Sequence, residues 1–110
     1  MLKKKSADNI TMEKLILIAT LNMLPGCEKE IKEATIALAA ETRKETGSEL
    51  FLVHTRNDSP QTIIFYEVYQ SEEAFNRHKD YSYTKTYMEF LKGKIKNDRP
   101  EITYLTKLAN

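Results

Sequence analysis

The sequence predicts an α+β domain with the element order β-α-β-β-α-α-β, and three observations predict it. Four runs rich in Ile, Leu, Val, Phe and Tyr are spaced along the chain, with helix-period segments between the first and second and between the third and fourth. The second and third runs, 48–56 and 61–69, flank the turn residues Asn57-Asp58-Ser59-Pro60, which marks a hairpin. Directly after it, Ser71-Glu72-Glu73 reads as the start of a helix, a hydroxyl cap followed by acids at the positive end of the helix dipole.

Taken in order, residues 14–22 (KLILIATLN) read as the first strand. Leu15, Ile16, Leu17 and Ile18 place apolar groups on both faces, so this strand needs cover from two sides. Pro25-Gly26 ends it with turn chemistry. Residues 27–46 read as one long helix. Ile31, Ala34 and Leu38 form its apolar stripe, with Glu28 and Glu30 near the start and Arg43 and Lys44 near the end, where the dipole favours them. Gly47 is expected as the left-handed residue that stops it.

In the hairpin, Leu50, Leu52 and His54 share one face of the first strand, and Phe51 and Val53 the other. Ile63, Phe65, Glu67 and Tyr69 share one face of the second, and Ile64, Tyr66 and Val68 the opposite one. The helix capped by Ser71 is expected to run to about His78. Tyr81-Ser82-Tyr83 interrupts it, and 84–95 is helical again. Residues 97–100 (NDRP) form a turn, and 101–109 (EITYLTKLA) alternates as the last strand.

This order is that of a ferredoxin-like split βαβ domain, a four-stranded antiparallel sheet with helices packed on one face. Strands apolar on both faces then leave one face uncovered. The predicted cover is a second copy of the chain, sheet against sheet.

At 110 residues, one domain is expected over 13–110, with 1–12 as a mobile basic arm. The net charge of +1 gives no case for nucleic acid or an anionic membrane as partner. The apolar run 15–19 is too short for a signal peptide or a span, and Cys27 is the one cysteine, so the expected compartment is the reducing cytoplasm. The two histidines, His54 and His78, have no cysteine or carboxylate at ligand spacing, so no metal is expected. Three glycines do not make a phosphate loop.

His78 is the leading candidate for chemistry, because an imidazole is the side chain best matched to proton transfer near neutral pH. Its plainer role is to complement the helix dipole. Tyr66 and Tyr83 stand out from a cluster of phenols that line a pocket or fill a core. Glu67, a carboxylate inside an apolar strand, needs a partner. It orients His78 or a substrate hydroxyl, or pairs with a cation across the dimer. His54, which alternates with Leu50 and Leu52, faces the core or the pocket. Asn22 at the end of the first strand orients a substrate or turns the chain, and Phe65 is a wall or core residue.

Several short motifs in one order carry a resemblance. Pro25-Gly26 precedes a long helix, and Glu45-Thr46-Gly47 precedes a strand. Phe65-Tyr66-Glu67-Val68-Tyr69 is followed by Ser71-Glu72-Glu73-Ala74-Phe75 and then His78. Over roughly 14–108 this resembles the antibiotic biosynthesis monooxygenase domain family, its quinol monooxygenase-like members and the autoinducer-processing isomerase above all. The resemblance implies a dimeric α/β barrel of two ferredoxin-like protomers, each with a pocket between sheet and helices. It also implies an oxidoreductase that needs no metal, flavin or haem and oxidises phenols or quinols with O₂. His78 and Glu67 carry over from the family, and Tyr83 only as a substitute. Together with the reading of the residues, this makes His78 and Tyr83 the catalytic candidates, and Asn22, His54, Phe65, Tyr66 and Glu67 the substrate-binding ones. Two departures matter. Tyr83 stands where many members carry a second histidine, and the chain has no tryptophan, which speaks against haem degradation. The expected function is a cofactor-independent monooxygenase on a quinol-like or phenolic molecule. The alternatives are a proton-shuttling isomerase of a small carbonyl compound and a non-catalytic binding module.

Overall fold

The computed structural model describes residues 13–110, and the expected basic arm lies outside them. The elements are β1 (Leu15–Asn22), α1 (Glu28–Thr42), β2 (Ser48–Arg56), β3 (Ser59–Tyr69), α2 (Glu72–Asp80), α3 (Ser82–Leu91), a single 3₁₀ turn (Lys96–Asp98) and β4 (Glu101–Leu105). The sheet order is β2-β3-β1-β4, with every pair antiparallel. This is the ferredoxin-like α+β fold.

Register decides what each face of the sheet carries. Leu17 lies opposite Glu67, which lies opposite Phe51; Ala19, Phe65 and Val53 form the next row. These residues, with Leu21, Ile63 and Tyr69, face the helices and are mostly buried. Ile31 and Leu38 of α1, Phe75 of α2, and Tyr87 and Leu91 of α3 pack into the same core. The other face carries the rows Ile16–Val68–Leu50, Ile18–Tyr66–Leu52 and Thr20–Ile64–His54. There Leu50 and Leu52 remain 43% and 40% exposed, and Leu105 of β4 37%. The strands are thus apolar on two sides and helices cover one.

Several boundaries differ from the expectation, each for a local reason. The first helix ends at Thr42, whose Oγ1 donates to the Leu38 carbonyl, and 43–46 turn tightly instead of continuing. Gly47 is not the left-handed stop. A Cβ there would sit 2.4 Å from Cβ of Ala74, so its glycine lets α2 approach the chain closely. The hairpin loop is two residues, Asn57 and Asp58, not four. Arg56 pairs with Ser59 and closes the loop with an ion pair to Asp58 at 2.6 Å. Ser59 and Pro60 belong to β3. The interruption after α2 is the single extended residue Tyr81, from which α3 starts. That helix stops at Leu91, because Lys92 is extended and Gly93 has φ 78°. The last strand is shorter than expected and pairs along one edge only, with β1. Among the described residues no helix is long and apolar enough to cross a membrane.

Candidate functional site

A cavity of about 570 Å³ opens between the sheet and the helices. Leu17, Ala19, Phe51, Phe65 and Glu67 form its floor, and Leu38, Phe75, His78, Thr84 and Tyr87 its roof. Lys79, Lys85, Lys92 and Arg99 stand at its exposed rim with Glu89.

The placement of His78 follows from local sequence. Ser71 Oγ accepts from the Ala74 amide and fixes where α2 begins. Ala74, Phe75 and His78 then share one helix face, at spacings of one, three and four residues. Gly47 admits Ala74, which seats that face on the sheet. The imidazole lies among the rings of Tyr69 (5.3 Å), Phe51 (5.8 Å) and Phe75 (6.3 Å).

Its polar partner is Glu45, in the turn after α1. Nδ1 of His78 is 3.0 Å from Oε2 and 3.3 Å from Oε1 of Glu45, and both side chains are more than nine-tenths buried. The Tyr83 hydroxyl donates to the same carboxylate. Burial first, and then the bond to Glu45, push the Tyr83 phenol well above its usual range, so it keeps its proton and remains a donor. A carboxylate only accepts, so Nδ1 of His78 carries a hydrogen. In the neutral imidazole, Nε2 then holds the free lone pair, and it has no hydrogen-bond partner among the described residues. Glu45 fixes the tautomer of an imidazole on a cavity wall.

A second carboxyl lies across the cavity. Glu67 Oε1 accepts from the Tyr69 hydroxyl at 2.6 Å. Burial pushes this carboxyl up to about 7, with the Glu45 charge adding to the rise and the Tyr69 bond opposing it. Glu67 therefore exchanges a proton near neutral pH. Tyr87 O–H donates to Thr35 Oγ1 at 2.7 Å, and Thr35 donates on to the Ile31 carbonyl at 2.7 Å. Burial raises the Tyr87 phenol to about 12. Thr84 differs from these, since its buried hydroxyl has no partner. Among the described residues no three His, Cys, Asp or Glu side chains converge as a metal site.

Of the residues singled out in the sequence, Phe65, Glu67 and His78 line the cavity. Tyr83 stands one step behind, joined to His78 through Glu45 and stacked on Tyr81 at 5.4 Å. Asn22, His54 and Tyr66 are not brought into it. Asn22 Oδ1 accepts from Thr62 Oγ1 at 2.7 Å, in the last pair of the β1–β3 ladder. His54 is exposed on the helix-free face, its Nδ1 3.3 Å from the Ile64 carbonyl. Tyr66 lies beside Ile18 and Leu52 on that face. Alternation along β3 allows the cavity Phe65 and Glu67 or their even-numbered neighbours, not both. Sequence reasoning passed over Glu45, Thr84 and Tyr87 as site residues. For Glu45 no local signal was available, since its partner His78 lies 33 residues away.

The family model described as "antibiotic biosynthesis monooxygenase" matches residues 14–89. A search of curated proteins gave no match. Among solved structures, PA3566 from Pseudomonas aeruginosa is similar with a TM-score of 0.82 at 23% identity, over 90% of this chain and 98% of that one. Rv0793 from Mycobacterium tuberculosis is similar with a TM-score of 0.80 at 19% identity, over 89% and 98%. A structure described as an antibiotic biosynthesis monooxygenase gives a TM-score of 0.80 at 14% identity, over 86% and 99%. At these identities the likeness is one of fold.

Proposed function

The chain belongs to the antibiotic biosynthesis monooxygenase family, and on that premise we propose that it is a cofactor-independent monooxygenase of a quinol-like or phenolic small molecule. Family membership supports the general monooxygenase-like reading. The observation that carries the particular one is the unpartnered Nε2 of His78 on the wall of an aromatic-lined cavity, its tautomer set by Glu45.

In this reading the hydroxyl of a bound quinol gives its proton to Nε2. The imidazolium that forms is stabilised by the Glu45 carboxylate, and Tyr83 holds that carboxylate in place. The quinolate is a far better electron donor to O₂ than the neutral quinol. One oxygen atom enters the ring and the other leaves as water, so that quinol and O₂ become hydroxyquinone and water. The substrate supplies all the electrons. Phe51, Phe65 and Phe75 keep the site apolar.

The protein is also proposed to work as a homodimer, two copies burying the face that bears Leu50, Leu52, Ile64 and Val68. One observation favours a second reading. Glu67, able to hold a proton near pH 7, shares the cavity with His78, and two proton-transfer groups on one cavity suit isomerisation of a small carbonyl compound.

Oxygen uptake with hydroquinone as substrate, recorded for the wild type, His78→Ala and Glu45→Gln, tests the proposal. Uptake above the uncatalysed rate is expected for the wild type and is lost in His78→Ala. In Glu45→Gln kcat is expected to fall by about 10²-fold, as befits loss of an orienting carboxylate. No uptake above background in the wild type removes the oxygenase reading.

A further inference from the structure

We propose that the molecule this cavity takes carries a negatively charged group beside its phenol, a carboxylate held at the rim by Lys85 and Arg99. The inference rests on the reading of the cavity as a substrate site and names the class of substrate.

The charge at the rim does not follow from composition. The whole chain has 17 cations against 16 anions. Around the cavity mouth stand four cations, Lys79, Lys85, Lys92 and Arg99, against one exposed carboxylate, Glu89. Glu89 is already tied to Lys92 at 3.2 Å. Lys79 sits over the Phe75 ring at 4.6 Å. Lys85 and Arg99 have no carboxylate partner among the described residues. They come from different elements, α3 and the segment before β4, and converge on one opening. A rim of unpaired positive charge around an apolar, low-dielectric cleft concentrates anions at its mouth.

The interior does not offset that charge. Glu67 is the one carboxyl among the buried lining residues, and burial favours its neutral form. The ring-lined walls suit a flat aromatic body, and about 570 Å³ exceeds what one ring needs, leaving room for a substituent that reaches the rim. Arg99 offers a planar fork that matches a carboxylate, and Lys85 a mobile point charge.

The test compares 2,5-dihydroxybenzoate with its methyl ester, which keeps the ring and both hydroxyls and lacks the charge. Affinities are measured by calorimetry at 20 and 200 mM salt. The acid is expected to bind at least 10-fold tighter than the ester at low salt, with the advantage shrinking at high salt. In the double variant Lys85→Met/Arg99→Met the advantage of acid over ester is expected to vanish. Lys32→Met, an exposed lysine of α1 away from the cavity, keeps it. Equal affinity for the two compounds, no binding of either at millimolar concentration, or an advantage that survives the double variant overturns the inference. The proposed chemistry fails separately. His78-dependent oxygen uptake with hydroquinone, without any preference for the acid, sinks the anion and leaves the monooxygenase standing. Rim-dependent binding of the acid without oxygen uptake does the reverse.

Discussion

Replacing Glu67 with glutamine measures how the cavity floor handles its carboxyl. Glu67 is 6% exposed and accepts from Tyr69 at 2.6 Å. Its carboxyl releases a proton near pH 7 in the folded chain, against 4.5 for the free side chain. Between those values the folded state binds more protons than the unfolded state, so stability falls as pH rises through this window. Below about pH 4.5 the penalty is absent, and above about pH 7 it is complete. The gap corresponds to roughly 3 kcal/mol at full development, an upper figure because the floor opens to a cavity that admits water. Glutamine keeps the size and the acceptor for Tyr69 and carries no charge. Glu67→Gln is therefore expected to match the wild type near pH 5 and to exceed it by about 2 kcal/mol at pH 8. Urea denaturation of both proteins at pH 5, 6, 7 and 8, at fixed ionic strength, reads this. The groups that face Glu67 are Glu45 from the α1–β2 turn, His78 from α2, Tyr69 on its own strand and Tyr87 from α3. All four are present in both proteins, so the difference between them reports Glu67. A difference that does not change with pH, or a variant less stable at pH 8, refutes the reasoning.

Other perturbations follow from single contacts. Gly47→Ala places a methyl group 2.4 Å from Ala74 Cβ and is expected to cost about 1–3 kcal/mol in urea unfolding. Part of that loss is expected to return in Gly47→Ala/Ala74→Gly, and a single variant as stable as the wild type contradicts the close approach. Ser71→Ala removes the acceptor for the Ala74 amide and is expected to cost about 1 kcal/mol, seen as a lower urea midpoint with unchanged slope. Leu52→Lys puts a charge at the middle of the helix-free face, and light scattering is expected to show half the wild-type mass. A wild type already at monomer mass at micromolar concentration removes the dimer.

Most of the fold was legible because it rests on short-range patterns. Alternation in 48–56 and 61–69 reported a hairpin, and Ser71 with two acids behind it reported a helix start that the Oγ–amide bond now explains. Ends were less legible where the cause is distant. Nothing near Gly47 in the chain says that Ala74 will lie against it, so a glycine after a helix was read as a stop. The site divided along the same line. His78 was visible from its helix and its neighbours, and Phe65 and Glu67 from their strand face. Strand alternation separates Tyr66 from both and turns it to the helix-free face.

Glu45 shows why the rest was hidden, and its case joins the stop that Gly47 is not to the base that His78 is proposed to be. Glu45 lies 33 residues from His78 and carries no local sign of burial. It becomes a buried partner through three steps. The helix ends early at Thr42, the chain turns so that the Ser48 amide bonds to the Glu45 carbonyl, and Gly47 lets α2 close over the turn. Each step is unremarkable alone, and the carboxylate meets the imidazole only when all three hold. The same glycine is therefore expected to bear on stability and on the proposed chemistry together. An extra methyl at 47 is expected to separate α2 from the turn, lengthen the Glu45–His78 contact and weaken the preference for hydrogen on Nδ1. A variant that remains folded is then expected to lose turnover out of proportion to its loss of stability, and turnover that falls only with the folded fraction would uncouple the two.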